Sequence, residues 1–249
     1  MKKRIRLRVA YDGTDYHGWQ VQPNGVTIEE VLNRELSKLL GEEITVTGAS
    51  RTDSGVHSMG NIAIFDTDTC IPAEKICYAI NQRLPEDIVV TESKEVAPDW
   101  HPRYHESKKT YEYRIYNRPF RDPNIRRNTY FYHRPLDVAA MKKAAAYLVG
   151  THDFKSFCAV GAQVESTVRT IHEITLEDCG DGRIIIRVTG NGFLYNMVRI
   201  IAGTLIQVGV GLRSAVEMPQ ILASCDRACA GPTAPAVGLT MMGISYLDE

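Results

Sequence analysis

Along residues 4–9, apolar Ile5, Leu7 and Val9 alternate with Arg4, Arg6 and Arg8. A period of two places successive side chains on opposite faces of a strand, so one face is apolar and the other basic. Residues 11–23, rich in Gly and aromatics, keep no period and read as a loop. The spacing then becomes helical. Thr27 and Glu30 have capping-box spacing, and Val31, Leu32, Leu36, Leu39 and Leu40 form one buried stripe. Residues 43–47 alternate again as a half-buried strand, and 61–66 form another, mostly apolar. Pro72 suits the first turn of a second helix with Ile76, Ala79, Ile80 and Leu84 on its inner side. A strand at 87–92 completes the order β-α-β-β-α-β.

The second half repeats the plan. Residues 110–116 read as a strand, followed by a loop rich in Arg, Pro and Asn as far as Pro135. Asp137 caps a helix carrying Val138, Met141, Ala145 and Leu148, and Gly150 stops it. Strands at 170–177 and 183–189 flank a hairpin turn. A long helix is expected over 191–208, a shorter one over 214–225, and a last strand over 239–246. The pattern predicts an α/β (α+β) fold of two tandem ferredoxin- or RRM-like βαββαβ units, 1–105 and 106–249. Residues 100–105 are too short and too aromatic for a flexible tether. The two sheets are therefore expected to merge into one central, mostly antiparallel sheet, with the active cleft where the halves meet.

Composition narrows the chemistry. The formal net charge is −1, without the basic balance expected of a nucleic-acid binder. The basic residues are concentrated in 2–8, 103–134 and 169–213, however, and a basic groove on a neutral protein is compatible with that distribution. The six cysteines form no C-x-x-C and the histidines no H-x-x-x-H pair, so no metal site is expected. Neither a secretory leader nor a membrane-length apolar run is apparent, which predicts a cytoplasmic protein with no membrane partner. No phosphate-binding loop or dinucleotide fingerprint is present, and no cofactor is expected.

Candidate chemistry gathers in 48–60, a Gly- and Ser-rich stretch between two strands that contains Arg51, Asp53 and His57. A plain hairpin needs far fewer residues, and long loops between strands are often functional. On local sequence alone Asp53 reads as a turn cap, the commoner role for Asp in such company. Arg199 lies inside the apolar run 197–210, where an unpaired charge costs several kcal/mol, so a carboxylate partner is expected. Tyr111 opens a strand beside Lys108 and Lys109, where an aromatic ring suits the strand itself or a stacked base.

Arg51-Thr-Asp53-x-Gly55-Val-His57 resembles the catalytic motif of the tRNA pseudouridine synthase A family. Four further segments resemble that family in the same order: 11–20, Trp100-His101-Pro102-Arg103-Tyr104, 192–199, and 234–239. The resemblance implies an α/β fold with a pseudo-twofold central sheet and helices on one face. It implies isomerisation of uridine to pseudouridine in the anticodon arm of tRNA, at tRNA positions 38, 39 and 40, by a homodimer. It assigns Asp53 as nucleophile, Arg199 as its partner, Arg51 to base extrusion and Tyr111 to base stacking. Trp100, His101, Pro102, Arg103 and Tyr104 would lie along RNA, as would Arg169 with the loop 161–168. By residue type His57 and His101 are candidate general bases, but the favoured reading has His57 ordering the catalytic loop and His101 contacting backbone or phosphate. Ser50 departs from the usual Gly, Ser54 and Ser58 from common alanines, and Asn61 from a common Gln. At position 50 Gly would permit backbone angles that Ser resists. Attack of Asp53 at C1′, attack at C6, and a purely basic role remain three open routes. Two other classes fit parts of the sequence. An idle RNA-binding protein of two RRM-like units would not need Asp53, and a hydrolytic glycosidase would need a second carboxylate, which 48–60 lacks.

Overall fold

The computed structural model describes residues 2–161 and 164–247. In chain order the elements are β1 (Lys3–Tyr11), α1 (Ile28–Leu40), β2 (Thr47–Gly48), β3 (His57–Thr67), α2 (Ile76–Ile80), β4 (Ile88–Val96), β5 (Ser107–Tyr116), β6 (Tyr130–Phe131), α3 (Val138–Ala146), β7 (Gly150–Asp153), β8 (Val168–Asp178), β9 (Arg183–Gly190), α4 (Met197–Gly209), α5 (Met218–Ser224) and β10 (Leu239–Tyr246). They fall into two compact units. The first runs to Ser107 and resumes at Met241; the second is Lys108–Thr240. The strand at the chain's end, placed in the second half by the sequence pattern, begins in the second unit and finishes in the first. The architecture is mixed α/β with mostly antiparallel pairing, as the alternation of periods predicts.

In the first unit β1 pairs antiparallel with both β3 and β4, so Leu7 faces Ala63 on one side and Ser93 on the other. Ile5, Leu7 and Val9 pack in one core with Ile28, Val31, Leu32 and Leu36 of α1 and Ile76 and Ile80 of α2. Both helices therefore cover the apolar face of β1. Thr27 caps α1 by accepting the Glu30 N–H, and Gly41 closes it in the left-handed region.

The other face of β1 is not the open basic surface that alternation suggests. Arg4 Nε donates to Asp66 Oδ1 at 2.8 Å, and Arg8 Nε to Glu92 Oε2 at 3.3 Å. Arg6 is buried, its guanidinium 5.5 Å from the Trp100 ring and 5.7 Å from the Tyr246 ring. The expected strand at 43–47 is reduced to Thr47–Gly48. The Ile44 and Val46 N–H groups donate instead to Ser37 Oγ and Asn33 Oδ1 of α1, which removes them from any ladder. The next strand starts at His57 rather than Asn61, and the second helix is one short turn, Ile76–Ile80, preceded by 3₁₀ residues Ala73–Lys75.

In the second unit β9 pairs antiparallel with β5 and β8, and β7 extends the order beyond β8. Neither β7 nor β6 is visible as a period, because each is too short to show one. β6 joins β5 in parallel, Ile115 opposite Tyr130. The long helix begins at Met197, six residues later than the apolar pattern suggests. Asn196 takes φ +59°, and the residues before it are engaged elsewhere: Asn191 N–H with Thr170, and Tyr195 C=O with Ala159 N–H. α4 is buried almost all round, as its unbroken apolar run requires. Among the described residues no helix is long and apolar enough to cross a membrane.

One ionised cluster sits in this unit's sheet. Glu112 is 3% exposed and accepts from Arg187 Nε at 3.0 Å and from Arg114 NH2 at 2.8 Å. Burial pushes its carboxyl up, but the two guanidinium hydrogen bonds outweigh that and hold it below the usual carboxylate range. Because the folded state lowers this pKa, the cluster's stabilisation is complete above the ordinary Glu value and fades as pH falls through the lowered one. Glu112→Gln is expected to cost about 1–3 kcal/mol at neutral pH, a figure reduced because Arg187 is half exposed. The Tm should fall by about 2–10 °C at pH 7, and thermal melts should show the deficit shrinking in acid.

Candidate functional site

Asp53 lies half-buried in the eight residues that separate β2 from β3. This loop is held to the glycine-rich segment after β1 by main-chain bonds. Trp19 N–H donates to the Thr52 carbonyl at 3.1 Å, Gly55 N–H to the Tyr16 carbonyl at 3.2 Å, and Ser54 Oγ to that same carbonyl at 3.2 Å. Within the loop, Val56 N–H closes onto the Asp53 carbonyl at 3.1 Å, with Gly55 at φ +76°. On the other flank the buried Tyr11 hydroxyl meets Thr52 Oγ1 at 2.7 Å. Gly18 has φ +83°, and a Cβ there would stand 2.5 Å from the Thr52 carbonyl oxygen. The carboxylate is therefore carried by a backbone fixed at the residues on both sides of it.

His57 is buried at the start of β3. Its Nδ1 accepts from the Gly13 N–H at 3.2 Å and lies 3.1 Å from Asp12 Oδ1. Asp12 also accepts from the Thr14 N–H at 3.0 Å, which ties the acid to its own turn. Ser50 is buried beside Asn61, whose side chain accepts the Ser50 N–H at 3.3 Å and donates to the Ser50 carbonyl at 3.0 Å. Among the described residues only Asn196 and Cys225 are non-glycine residues with positive φ. Ser50 thus meets no left-handed requirement, and the strain that a Gly-preferring position would impose is not present.

Arg51 is exposed, and its charge acts on Arg103. Arg103 Nε donates to the Gly48 carbonyl at 2.8 Å; burial first, and then the like charge of Arg51, pull its guanidinium below the usual value. The two cations are thus brought to the same loop. His101 stacks on the highly exposed Tyr104 at 4.2 Å. Burial, then the charges of Arg103, Arg4 and His105, lower the His101 pKa, which favours a neutral stacked ring. Trp100 stacks on His105 and meets Tyr246 edge-on, and the Pro102 carbonyl accepts from the Tyr246 hydroxyl at 3.0 Å. Trp100 and Pro102 hold this segment in place, whereas Arg103 and Tyr104 are the members turned to solvent.

In the second unit Tyr111 is 8% exposed and edge-on to Phe193, with ring centroids 5.2 Å apart. Arg199, near the start of α4, donates from Nε to the Ala234 carbonyl at 2.8 Å and from NH1 to Asn196 Oδ1 at 2.7 Å. The Ala234 N–H returns a bond to the Arg199 carbonyl at 3.1 Å. The segment after α5 lies hard against α4, because a Cβ on Gly203 would collide with the Pro232 carbonyl. Arg169 is fixed by NH1 bonds to the Ser166 and Val168 carbonyls at 2.9 and 2.7 Å, and lies beside Gly192. Ala162 and Gln163 of the loop expected to touch RNA lie outside the described residues.

The sequence pattern assigned no task to Asp12, Trp19, Asn196 or Ala234. Their signal is weak, since Trp19 and Ala234 work through backbone atoms, and Asp12 and Asn196 through single side-chain oxygens whose partners composition does not display. Two substitutions test this account of the loop. Gly18→Ala is expected to cost about 1–2 kcal/mol for the left-handed φ alone, more once the Thr52 carbonyl is displaced, with Tm lower by about 2–8 °C. Ser50→Gly relieves no strain, and its Tm should stay within about 4 °C of the parent.

Comparison with known proteins agrees with the motif pattern. The family model described as tRNA pseudouridine synthase matches residues 8–105 and 144–247. A tRNA pseudouridine synthase A of Ruminiclostridium cellulolyticum is 52% identical over 244 residues, spanning 98% of this chain and all of that protein. Those of Thermoanaerobacter pseudethanolicus and Brevibacillus brevis are 49% and 47% identical, with the same shares covered. Matched along both halves and at these identities, the chain belongs to the tRNA pseudouridine synthase family.

Proposed function

We propose that this protein isomerises uridine to pseudouridine in the anticodon arm of tRNA, with Asp53 as the nucleophile. The observation that carries the assignment is the setting of Asp53. It is a half-buried carboxylate on a backbone tied down at Thr52 and Gly55, with the cations Arg51 and Arg103 drawn to the same loop. Pre-set geometry of this kind lowers the cost of reaching the reacting arrangement.

The reaction is an isomerisation and needs no net oxidant or reductant. The C1′–N1 bond of the target uridine breaks, the uracil turns while held, and C5 bonds to C1′ as the C5 proton is lost and N1 gains one. Asp53 attacks or stabilises the electron-poor sugar or base during the interval. The nucleoside leaves its stack first, at a cost of a few kcal/mol. Arg51 fills the vacated space, and the Tyr111 ring, braced edge-on by Phe193, stacks on the base and offsets part of that cost. Arg199 keeps Asp53 ionised, and its bonds to Ala234 and Asn196 limit the guanidinium to few positions. Arg103 and Tyr104 contact the RNA backbone on the approach, with His101 stacked beneath Tyr104. Trp100 and Pro102 support that segment, His57 orders the loop, and Arg169 adds a phosphate contact. The working form is a homodimer in the cytoplasm, which sedimentation at micromolar concentration checks directly.

The decisive comparison is wild type against Asp53→Asn with unmodified tRNA, read by site-specific detection of pseudouridine in the anticodon arm. Wild type should form product with no change of RNA mass. Asp53→Asn should lose about 10³-fold or more in rate while still binding tRNA. Product formation undiminished by the substitution would refute the assignment, and release of free uracil would indicate hydrolysis instead.

A further inference from the structure

The second unit contains a cavity of about 160 Å³ that the reaction described above does not use. Tyr116, Tyr130, Phe131 and Val237 supply apolar walls, Thr129 a hydroxyl, and Arg121 and Arg126 positive charge beside the one acid of the lining, Asp122. Sites for whole small molecules usually span about 300–1,000 Å³. This one admits a fragment, such as a single flat ring. Its aromatic wall is a product of strand pairing: β6 lies parallel to β5, with Ile115 opposite Tyr130 and Tyr116 opposite Phe131. The Arg121 guanidinium lies 5.2 Å from the Phe131 ring centroid, half of a stack that a second flat group can complete.

The electrostatics favour an anion-bearing ring. Residues 117–134 hold five arginines and one acid, Asp122, in a chain whose overall charge is −1. Asp122 Oδ1 accepts the Asn124 N–H at 2.9 Å, which ties that carboxylate to its own turn. Arg126 NH1 donates to the Pro123 carbonyl at 3.0 Å, leaving its other N–H groups to reach a ligand. Burial raises the Tyr130 pKa, so its phenol remains a neutral hydrogen-bond donor. Val237 belongs to the stretch that also supplies Ala234 to Arg199 and Pro235 to the Tyr113 hydroxyl. A ligand in the cavity therefore touches the segment that steadies Arg199.

We propose that this cavity is a second nucleotide subsite, which takes one unpaired base of the tRNA against Phe131 and Tyr130 while Arg121 and Arg126 hold its flanking phosphates. This rests on the tRNA reading above. Both arginines are exposed, so the double variant Arg121→Ala/Arg126→Ala should keep the parent Tm. Its Kd for unmodified tRNA should rise about tenfold, and the dependence of log Kd on log salt should become shallower by about 2. The rate at saturating tRNA should be unchanged, so that KM moves and kcat does not. Phe131→Leu should weaken binding about fivefold or more with the salt slope preserved, as expected for lost stacking. Variants that bind like an active wild type overturn the subsite alone. Conversion to monomer in sedimentation overturns it too, by giving the cavity to a side chain of a second copy. A wild type that neither binds nor modifies tRNA sinks the functional reading, and the subsite with it.

Discussion

The structure depends most on the backbone contact between two loops of the first unit. The segment after β1 presents N–H groups and carbonyls from Tyr16 and Trp19, and the loop before β3 meets them with Thr52 and Gly55. Contact at this range is possible because Gly18 has no side chain and accepts φ +83°. Main-chain bonds leave little rotameric freedom, so Asp53 inherits a position that side-chain packing alone would fix less tightly. Tyr11 and His57 repeat the arrangement at the flanks: one hydroxyl meets Thr52, and one imidazole meets Gly13 and Asp12. The aromatic and glycine residues of 11–20 are therefore the support of the loop that carries Asp53 rather than a surface decoration.

The second unit steadies Arg199 and the strand of Tyr111 by the same means. Arg199 is held by the Ala234 carbonyl and by Asn196, and the chain can pass so near α4 because residue 203 is Gly. Tyr113 donates to Pro235 from the next strand position but one after Tyr111. The Arg199 guanidinium and the strand that carries Tyr111 thus have fixed surroundings.

Many of the cations are committed to the fold. The arginines of β1 are matched by Asp66 and Glu92 or lie beneath aromatic rings, and Arg114 and Arg187 neutralise Glu112. These cations serve the fold. Exposed cations are spread over both units and include Arg51, Arg103 and the arginines along 117–134. A net charge of −1 is therefore compatible with a polyanionic substrate, because binding depends on the local field and not on the total.

The sequence by itself determined the strands and helices long enough to show a period. β1, α1 and α3 with its Asp137 cap follow from alternation, stripe and cap. It also determined the family, because a seven-residue catalytic phrase and four ordered companions are specific wherever they fold. Tertiary structure decided what has no period. Residues 43–46 lost their strand to side-chain acceptors on α1, and the helix start at Met197 was set by bonds that Asn191 makes to Thr170 of β8 and Tyr195 to Ala159. It relieved Ser50 of the strain that a Gly-preferring position suggests, and it turned a basic stripe into ion pairs. Periodicity reports which face of an element is apolar. Which backbone group finds which partner depends on distant segments, and only the folded chain brings those together.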